Sequence, residues 1–186
     1  MADAEQPASR AVGWRRAAAM GLLFRPAMDA DLPFLARLYA STRADELALL
    51  PWSGEQKAAF VDMQFRAQHH DYARNFPDAD RLVILRAGAP VGRLYVEVRG
   101  DDLHIIDIAF LDEHRRHGLG TALMLDLFDE AAAGAKAVTI YVEKNNPALR
   151  LYHRLGFVRV DDHGIYDFMR ATPPAGARPG ESPPGV

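Results

Sequence analysis

The chain has 186 residues, 49% of them apolar and 25% charged, enough for one domain with a packed core and ordinary for a globular protein. A formal net charge of −3 excludes a broad nucleic-acid footprint, and the lack of any cysteine excludes disulfides, thiolate zinc sites and cysteine nucleophiles. No apolar run approaches the roughly 20 residues that span a bilayer, so a cytoplasmic protein is expected by default.

Residues 1–20 mix small, polar and basic side chains without sustained periodicity. They are expected to be a disordered leader, with Met20 as an alternative start. Leu22–Arg25 reads as a first strand. Asp29 is expected to N-cap a helix over about Ala30–Ser41, whose Leu32, Leu35, Leu38 and Tyr39 share one face. A loop with Pro51 and Trp52 leads to a second helix over Gln56–Arg74. Arg81–Arg86, Val91–Val98 and Leu103–Leu111 are three strands separated by short glycine turns, which predicts an antiparallel meander. A glycine loop and a helix to about Ala133 follow, stopped by Gly134.

Ala137–Val142 is a strong strand. Asn146-Pro147 supplies a cap and a first-turn proline for a short helix ended by Gly156. Phe157–Val160 and Ile165–Met169 form a closing hairpin. Residues 171–186 hold five of the twelve prolines and are expected to be disordered. The order β-α-α-β-β-β-α-β-α-β-β makes residues 21–170 one α/β (α+β) domain. It has a mixed, mostly antiparallel sheet of about seven strands flanked by helices.

The junction after Leu111 carries the chemistry. Arg115-Arg116-His117-Gly118-Leu119-Gly120-Thr121 joins an apolar strand to an amphipathic helix. At such a junction the first helical N–H groups lack partners, glycines let a ligand approach the backbone, and the helix dipole favours anions. Phosphate or pyrophosphate is the implied guest. The P-loop is excluded because no Gly-Lys pair exists, and the dinucleotide fingerprint fails at Leu123. The pattern R/Q-x-x-G-x-G/A is met by Arg115, Gly118 and Gly120.

A second stretch, Asn145-Asn146-Pro147-Ala148-Leu149-Arg150-Leu151-Tyr152-His153-Arg154-Leu155-Gly156-Phe157, follows N-x-x-A-x-x-L-Y-x-x-x-G-F at Asn145, Ala148, Leu151, Tyr152, Gly156 and Phe157. With the glycine loop and the element order, residues 22–170 resemble the GNAT (GCN5-related) N-acetyltransferases and their acyl-CoA N-acyltransferase fold. The resemblance implies acetyl-CoA as co-substrate. It also implies a fourth strand that bulges and splays from the fifth, so that the pantetheine arm lies along Ile108, Ala109, Phe110 and Leu111. Backbone N–H groups of Arg116, His117, Gly118, Leu119, Gly120 and Thr121 would take the pyrophosphate, with Arg115 adding charge and Asn145 also on the coenzyme. Many relatives carry proline at Asp112 and glycine at Arg116, departures that touch loop detail.

The resemblance further implies Tyr152 as general acid toward the leaving thiolate. Many members of the family carry a glutamate base early in the fourth strand, facing the amine, and the position here that the resemblance makes equivalent, counted back from the loop, is His104; Asp107, on an isoleucine-rich strand, is the alternative, with burial expected to raise its pKa. Asp45, Glu46, Trp52, Gln64, Gln68, His69, His70 and Tyr72 fall in the two-helix region that lines the acceptor side in this family. The His69-His70 pair lacks the spacing of a helical metal motif, and no metal is expected. The expected activity is acetyl transfer to a primary amine, small-molecule or peptide, by direct attack on the thioester, without nucleic-acid or membrane partners, by a monomer or homodimer. The alternative is a non-catalytic acyl-CoA-binding or regulatory domain of the same fold.

Overall fold

Alternating and continuous apolar stretches build one sheet. In the computed structural model, which describes residues 9–173, β1 (Leu22–Pro26), β2 (Asp80–Arg86), β3 (Ala89–Arg99) and β4 (Asp102–Phe110) run antiparallel in sequence. Between β2 and β3, Ala87 and Gly88 both take positive φ, 49° and 77°, as a two-residue hairpin turn of this hand requires. β5 (Ala137–Glu143) then pairs parallel to β4 after crossing over through α5 (Leu119–Ala133). β7 (Tyr166–Ala171) inserts antiparallel to β5, and β6 (Val158–His163) forms the edge. The seven strands lie in the order β1-β2-β3-β4-β5-β7-β6, the mixed, mostly antiparallel sheet expected.

The pleat sends alternate residues to opposite faces. Leu82, Ile84, Leu94, Val96, Leu103, Ile105, Val138 and Ile140 meet Leu123, Met124 and Leu127 of α5 on one face. On the other, Val83, Leu85 and Leu111 meet α2 (Leu32–Thr42) and α4 (Gly54–Asn75) through Phe34, Leu35, Leu38, Tyr39, Val61 and Phe65. α4 starts two residues before its expected position because Ser53 and Gln56 form a reciprocal capping box, Gln56 N–H to Ser53 Oγ at 3.2 Å and Ser53 N–H to Gln56 Oε1 at 2.9 Å. A short α3 (Ala44–Ala48), not foreseen, links α2 to α4.

Two expectations are corrected. Residues 9–19 of the expected leader belong to the fold: Ser9–Gly13 forms a 3-10 turn and Arg15–Ala19 forms α1. Trp14, 3% exposed, packs edge-on against Phe24 with ring centroids 4.8 Å apart, and Ala17 is fully buried. α5 holds this segment. Asp126 accepts the N–H groups of Arg16 and Ala17 at 3.1 and 2.7 Å, and Glu130 accepts Arg10 at 2.7 Å and the Trp14 indole at 2.9 Å. Residues 1–8 and 174–186, the rest of the expected leader and most of the expected tail, lie outside the described residues. Second, Asp29 does not cap α2. It opens a 3-10 turn to Asp31, and Asp31 is the buried carboxylate, taking Met28 N–H at 2.8 Å and both Arg25 nitrogens at 2.6 Å.

Candidate functional site

An extra residue in β4 opens the sheet. Tyr95 opposes Asp107 and Val96 opposes Ile105, which leaves Ile106 as a bulge. The β4–β5 ladder covers only Asp102 to Ile105 on β4, ending at the Ile105–Ile140 pair. Beyond it the two strands part. A cavity of about 370 Å³ fills the gap. The bulge also changes which side chains share a face. His104 and Asp107 are an odd number of residues apart, yet both face α4: His104 stacks on Phe76 just past the helix, and Asp107 bonds Tyr72.

One end of the cavity is lined by Ile108, Ala109, Phe110, Arg115, Gly120, Met124, Asn145 and Tyr152. Ile108–Phe110 is strand edge without a β5 partner. Arg115 is anchored beside it: Nε donates to Phe110 O at 2.8 Å and a terminal nitrogen lies 3.4 Å from Ser41 Oγ. Arg116 adopts φ of 61°, the left-handed region in which glycine is at ease. Gly118, φ 79°, is the N-cap of α5. A Cβ at Gly120 would meet nothing within 4 Å, so the backbone there is open to a ligand. Of the other expected contact residues, Leu111 and Leu119 send their side chains into the two cores, Arg116, His117 and Gly118 are exposed on the loop, and Thr121 is half-buried outside the cavity lining.

Tyr152, 4% exposed, reaches the cavity from α6 (Leu149–Arg154). Asn146 Oδ1 accepts Ala148 N–H at 2.8 Å and so sets the start of that turn. Burial pushes the phenol's pKa up, with the nearby Asp107 charge adding to it, so the hydroxyl stays protonated.

The expected base positions fare differently. His104 does not line the cavity. It is 5% exposed, with Nδ1 3.0 Å from Thr139 Oγ1 and its ring against Phe76 and Tyr141, and burial pulls its pKa down to about 4. It is a structural histidine of the paired part of the sheet. Asp107 does line the cavity, but the apolar surroundings expected for it are absent: Arg93 Nη2 donates to Oδ2 at 2.5 Å and Tyr72 OH at 3.1 Å. Arg93 also donates to Gln68 at 2.8 Å.

The far end is lined from α2, α3, α4, β5 and β7 by Tyr39, Thr42, Arg43, Glu46, Gln68, Tyr72, Tyr141, Glu143 and Tyr166. Of the two-helix residues expected here, Glu46, Gln68 and Tyr72 reach the cavity, while Asp45, Trp52, Gln64, His69 and His70 do not. Arg43, Arg93, Tyr141 and Glu143 were not anticipated. Alternation along β3 and β5 was the signal that could have found the last three, since each lies on the face opposite the apolar core positions.

The Acetyltransferase (GNAT) family model matches residues 43–157. The mycothiol acetyltransferase of Corynebacterium glutamicum (strain R) is 32% identical over 119 residues, 62% of this chain and 40% of that protein. An N-alpha-acetyltransferase of Sulfurisphaera tokodaii is 38% identical over 60 residues, 31% of this chain and 36% of the relative. The chain thus spans no more than about two fifths of these curated relatives. The PaiA N-acetyltransferase of Thermoplasma acidophilum, solved in complex with coenzyme A, superposes with a TM-score of 0.62 at 14% identity, over 81% of this chain and 98% of that one. The ribosomal-protein-S18-alanine N-acetyltransferase of Escherichia coli gives 0.54 at 21% identity, over 87% and 99%. The two structures share the fold, and the family model covers more than half of the chain: the protein belongs to the GNAT acetyltransferase family.

Proposed function

We propose that the protein is an acetyl-CoA-dependent N-acetyltransferase that acts on a primary amine by direct attack on the thioester. The observation that carries this reading is the opened gap between β4 and β5, with the N-terminus of α5 at one side and the Tyr152 phenol inside. The residues fit the coenzyme. The Ile108–Phe110 edge offers backbone groups for an extended amide arm, as a strand would. Leu119, Gly120 and Thr121 open α5, where free N–H groups suit a pyrophosphate, and the open space at Gly120 admits it. When bound, the coenzyme supplies an acetyl thioester and leaves as a thiol.

Tyr152 holds a proton for the departing sulfur, and its hydroxyl has no hydrogen-bond partner among the described residues that would compete for it. Backbone N–H groups around the bulge at Ile106 are placed to stabilise charge on the reacting carbonyl oxygen. The amine must be neutral when it attacks. His104 stands outside the cavity, and Asp107 is held by Arg93 and Tyr72 at Oδ2; the amine gives its proton to water in the open cleft.

Incubation with acetyl-CoA and a panel of primary amines tests this, read by thiol release and by the mass of the acetylated amine. Release that depends on the amine is the expected result. Tight coenzyme binding by calorimetry with no release for any amine would identify a binding domain instead.

A further inference from the structure

Resting on the transferase reading, the cavity wall says what the acceptor carries besides its amine. The charged side chains that line it balance: Arg43, Arg93 and Arg115 against Glu46, Asp107 and Glu143. Arg43 holds Glu143 at 2.8 Å and Glu46 at 3.2 Å, and Arg93 holds Asp107 at 2.5 Å. Arg115 is turned to the Phe110 carbonyl and lies 3.5 Å from Asp112. The wall thus leaves no unit charge for an acceptor to answer. What it gathers instead is tyrosine. Of the six in the chain, Tyr39, Tyr72, Tyr141, Tyr152 and Tyr166 line this one cavity. Three of these rings are engaged. Tyr39 lies under the Arg43 guanidinium, 5.7 Å from the ring centroid. Tyr72 meets Tyr95 and Phe76 edge-on at 5.9 and 6.0 Å. Tyr152, 4% exposed, packs against Phe157. Tyr141 and Tyr166 stay open, 45% and 37% exposed.

Register puts these two rings together and beside the chemistry. Tyr141 opposes Phe168 and Glu143 opposes Tyr166, so the two tyrosines are diagonal neighbours on one face of the β5–β7 pair. Phe168 supports the Tyr141 ring, with centroids 4.7 Å apart. Ile140 makes the last pair with β4, at Ile105. Tyr141 is therefore the first β5 residue past the point where the strands part, next to the bulge at Ile106. An open aromatic pair at the mouth of a charge-balanced cavity gains most from a further ring. Covering it removes apolar surface from water, and offset or edge-on ring pairs add to that gain. We propose that the acceptor is an arylalkylamine, an amine joined by a short linker to an aromatic ring, and that this ring lies on Tyr141 and Tyr166 while the nitrogen reaches the bulge at Ile106.

Four primary amines separate the alternatives: phenylethylamine, cyclohexylethylamine, butylamine and butanediamine, whose distal ends are aromatic, saturated cyclic, small apolar and cationic. Each is titrated by calorimetry into protein saturated with coenzyme A, and each is assayed for kcat/KM by thiol release from acetyl-CoA. Phenylethylamine should bind roughly tenfold tighter than butylamine and roughly threefold tighter than cyclohexylethylamine, the scales of added buried carbon and of a ring pair beyond its area. In Tyr141→Ala and in Tyr166→Ala, measured separately so that one folded variant suffices, the phenylethylamine-to-butylamine ratio should fall toward one. Equal binding of those two amines, preference for cyclohexylethylamine or butanediamine, or an undiminished ratio in both variants would overturn the proposal. Absence of thiol release with every amine would sink the transferase reading, while the calorimetric ranking would still decide the ring subsite.

Discussion

Arg93 and Asp107 meet at 2.5 Å in the wall of the cavity, Arg93 buried and Asp107 half-buried, each placed there by the β3–β4 hairpin. The pair converts what would be an isolated carboxylate at the bulge into an anchored one. Asp107→Asn should destabilise the fold by about 3 kcal/mol, because a buried guanidinium is left without its counter-charge. It should also lower turnover without recovery at high pH, as loss of an anchor and not of a base would do. Urea unfolding of the variant within about 0.5 kcal/mol of the wild type would show that the pair carries no such weight.

Tyr152→Phe keeps the ring that packs against Phe157 with centroids 5.6 Å apart and removes only the hydroxyl. It should reduce kcat by roughly 10²-fold, within the range of positioned general acids, with coenzyme affinity little changed. Because burial raises the phenol's pKa, wild-type turnover should show no loss through Tyr152 ionisation across the neutral range. Full kcat in Tyr152→Phe alongside poor coenzyme binding in Tyr152→Ala would make the residue a packing wall.

The two loop glycines are not equivalent tests. Gly118 needs its left-handed φ, so any side chain there strains the start of α5 by about 1 kcal/mol or more whatever the ligand does. Gly120 is helical and opens on empty space. Gly120→Asp should therefore leave the melting temperature nearly unchanged and weaken coenzyme A by roughly hundredfold, through like charge beside the pyrophosphate. Calorimetry showing near-normal affinity in the folded variant would move the pyrophosphate elsewhere.

His104 makes the fold sensitive to acid. Its pKa is 6.5 when unperturbed and about 4 in the folded protein, so the unfolded chain binds the proton first. The contribution of His104 to stability should be full above about pH 6.5, fall as the pH drops toward about 4, and level off below that, with up to about 3 kcal/mol at stake. His104→Gln should flatten this part of the profile. Parallel pH curves of urea midpoint for wild type and variant would rule His104 out as its source.

Much of this architecture was legible from local patterns. The meander followed from glycine turns between apolar runs, and the strand–helix junction from Gly118 and Gly120. What escaped depended on register. One inserted residue, Ile106, puts His104 and Asp107 on the same face and ends the pairing with β5. Counting back from the loop then reached a histidine in the closed part of the sheet. Asp107 looked apolar-lined because its partner, Arg93, which pairs with Ala109, is brought diagonally beside it only by the hairpin register. Arg43 and Glu143 lie 100 residues apart, beyond any local pattern. Trp14 was hidden for the same reason, since its indole partner is Glu130.

That last contact has a consequence for the order of assembly. The groups that hold the segment of Trp14 and Ala17, Asp126 and Glu130, are synthesised more than 100 residues after it. At about 5–20 residues per second the interval is on the order of 5–20 s. Throughout it the indole has no α5 to lie against. The segment of Trp14 and Ala17 is thus among the last to settle, and α5 gains its outer support only when these residues fold back upon it.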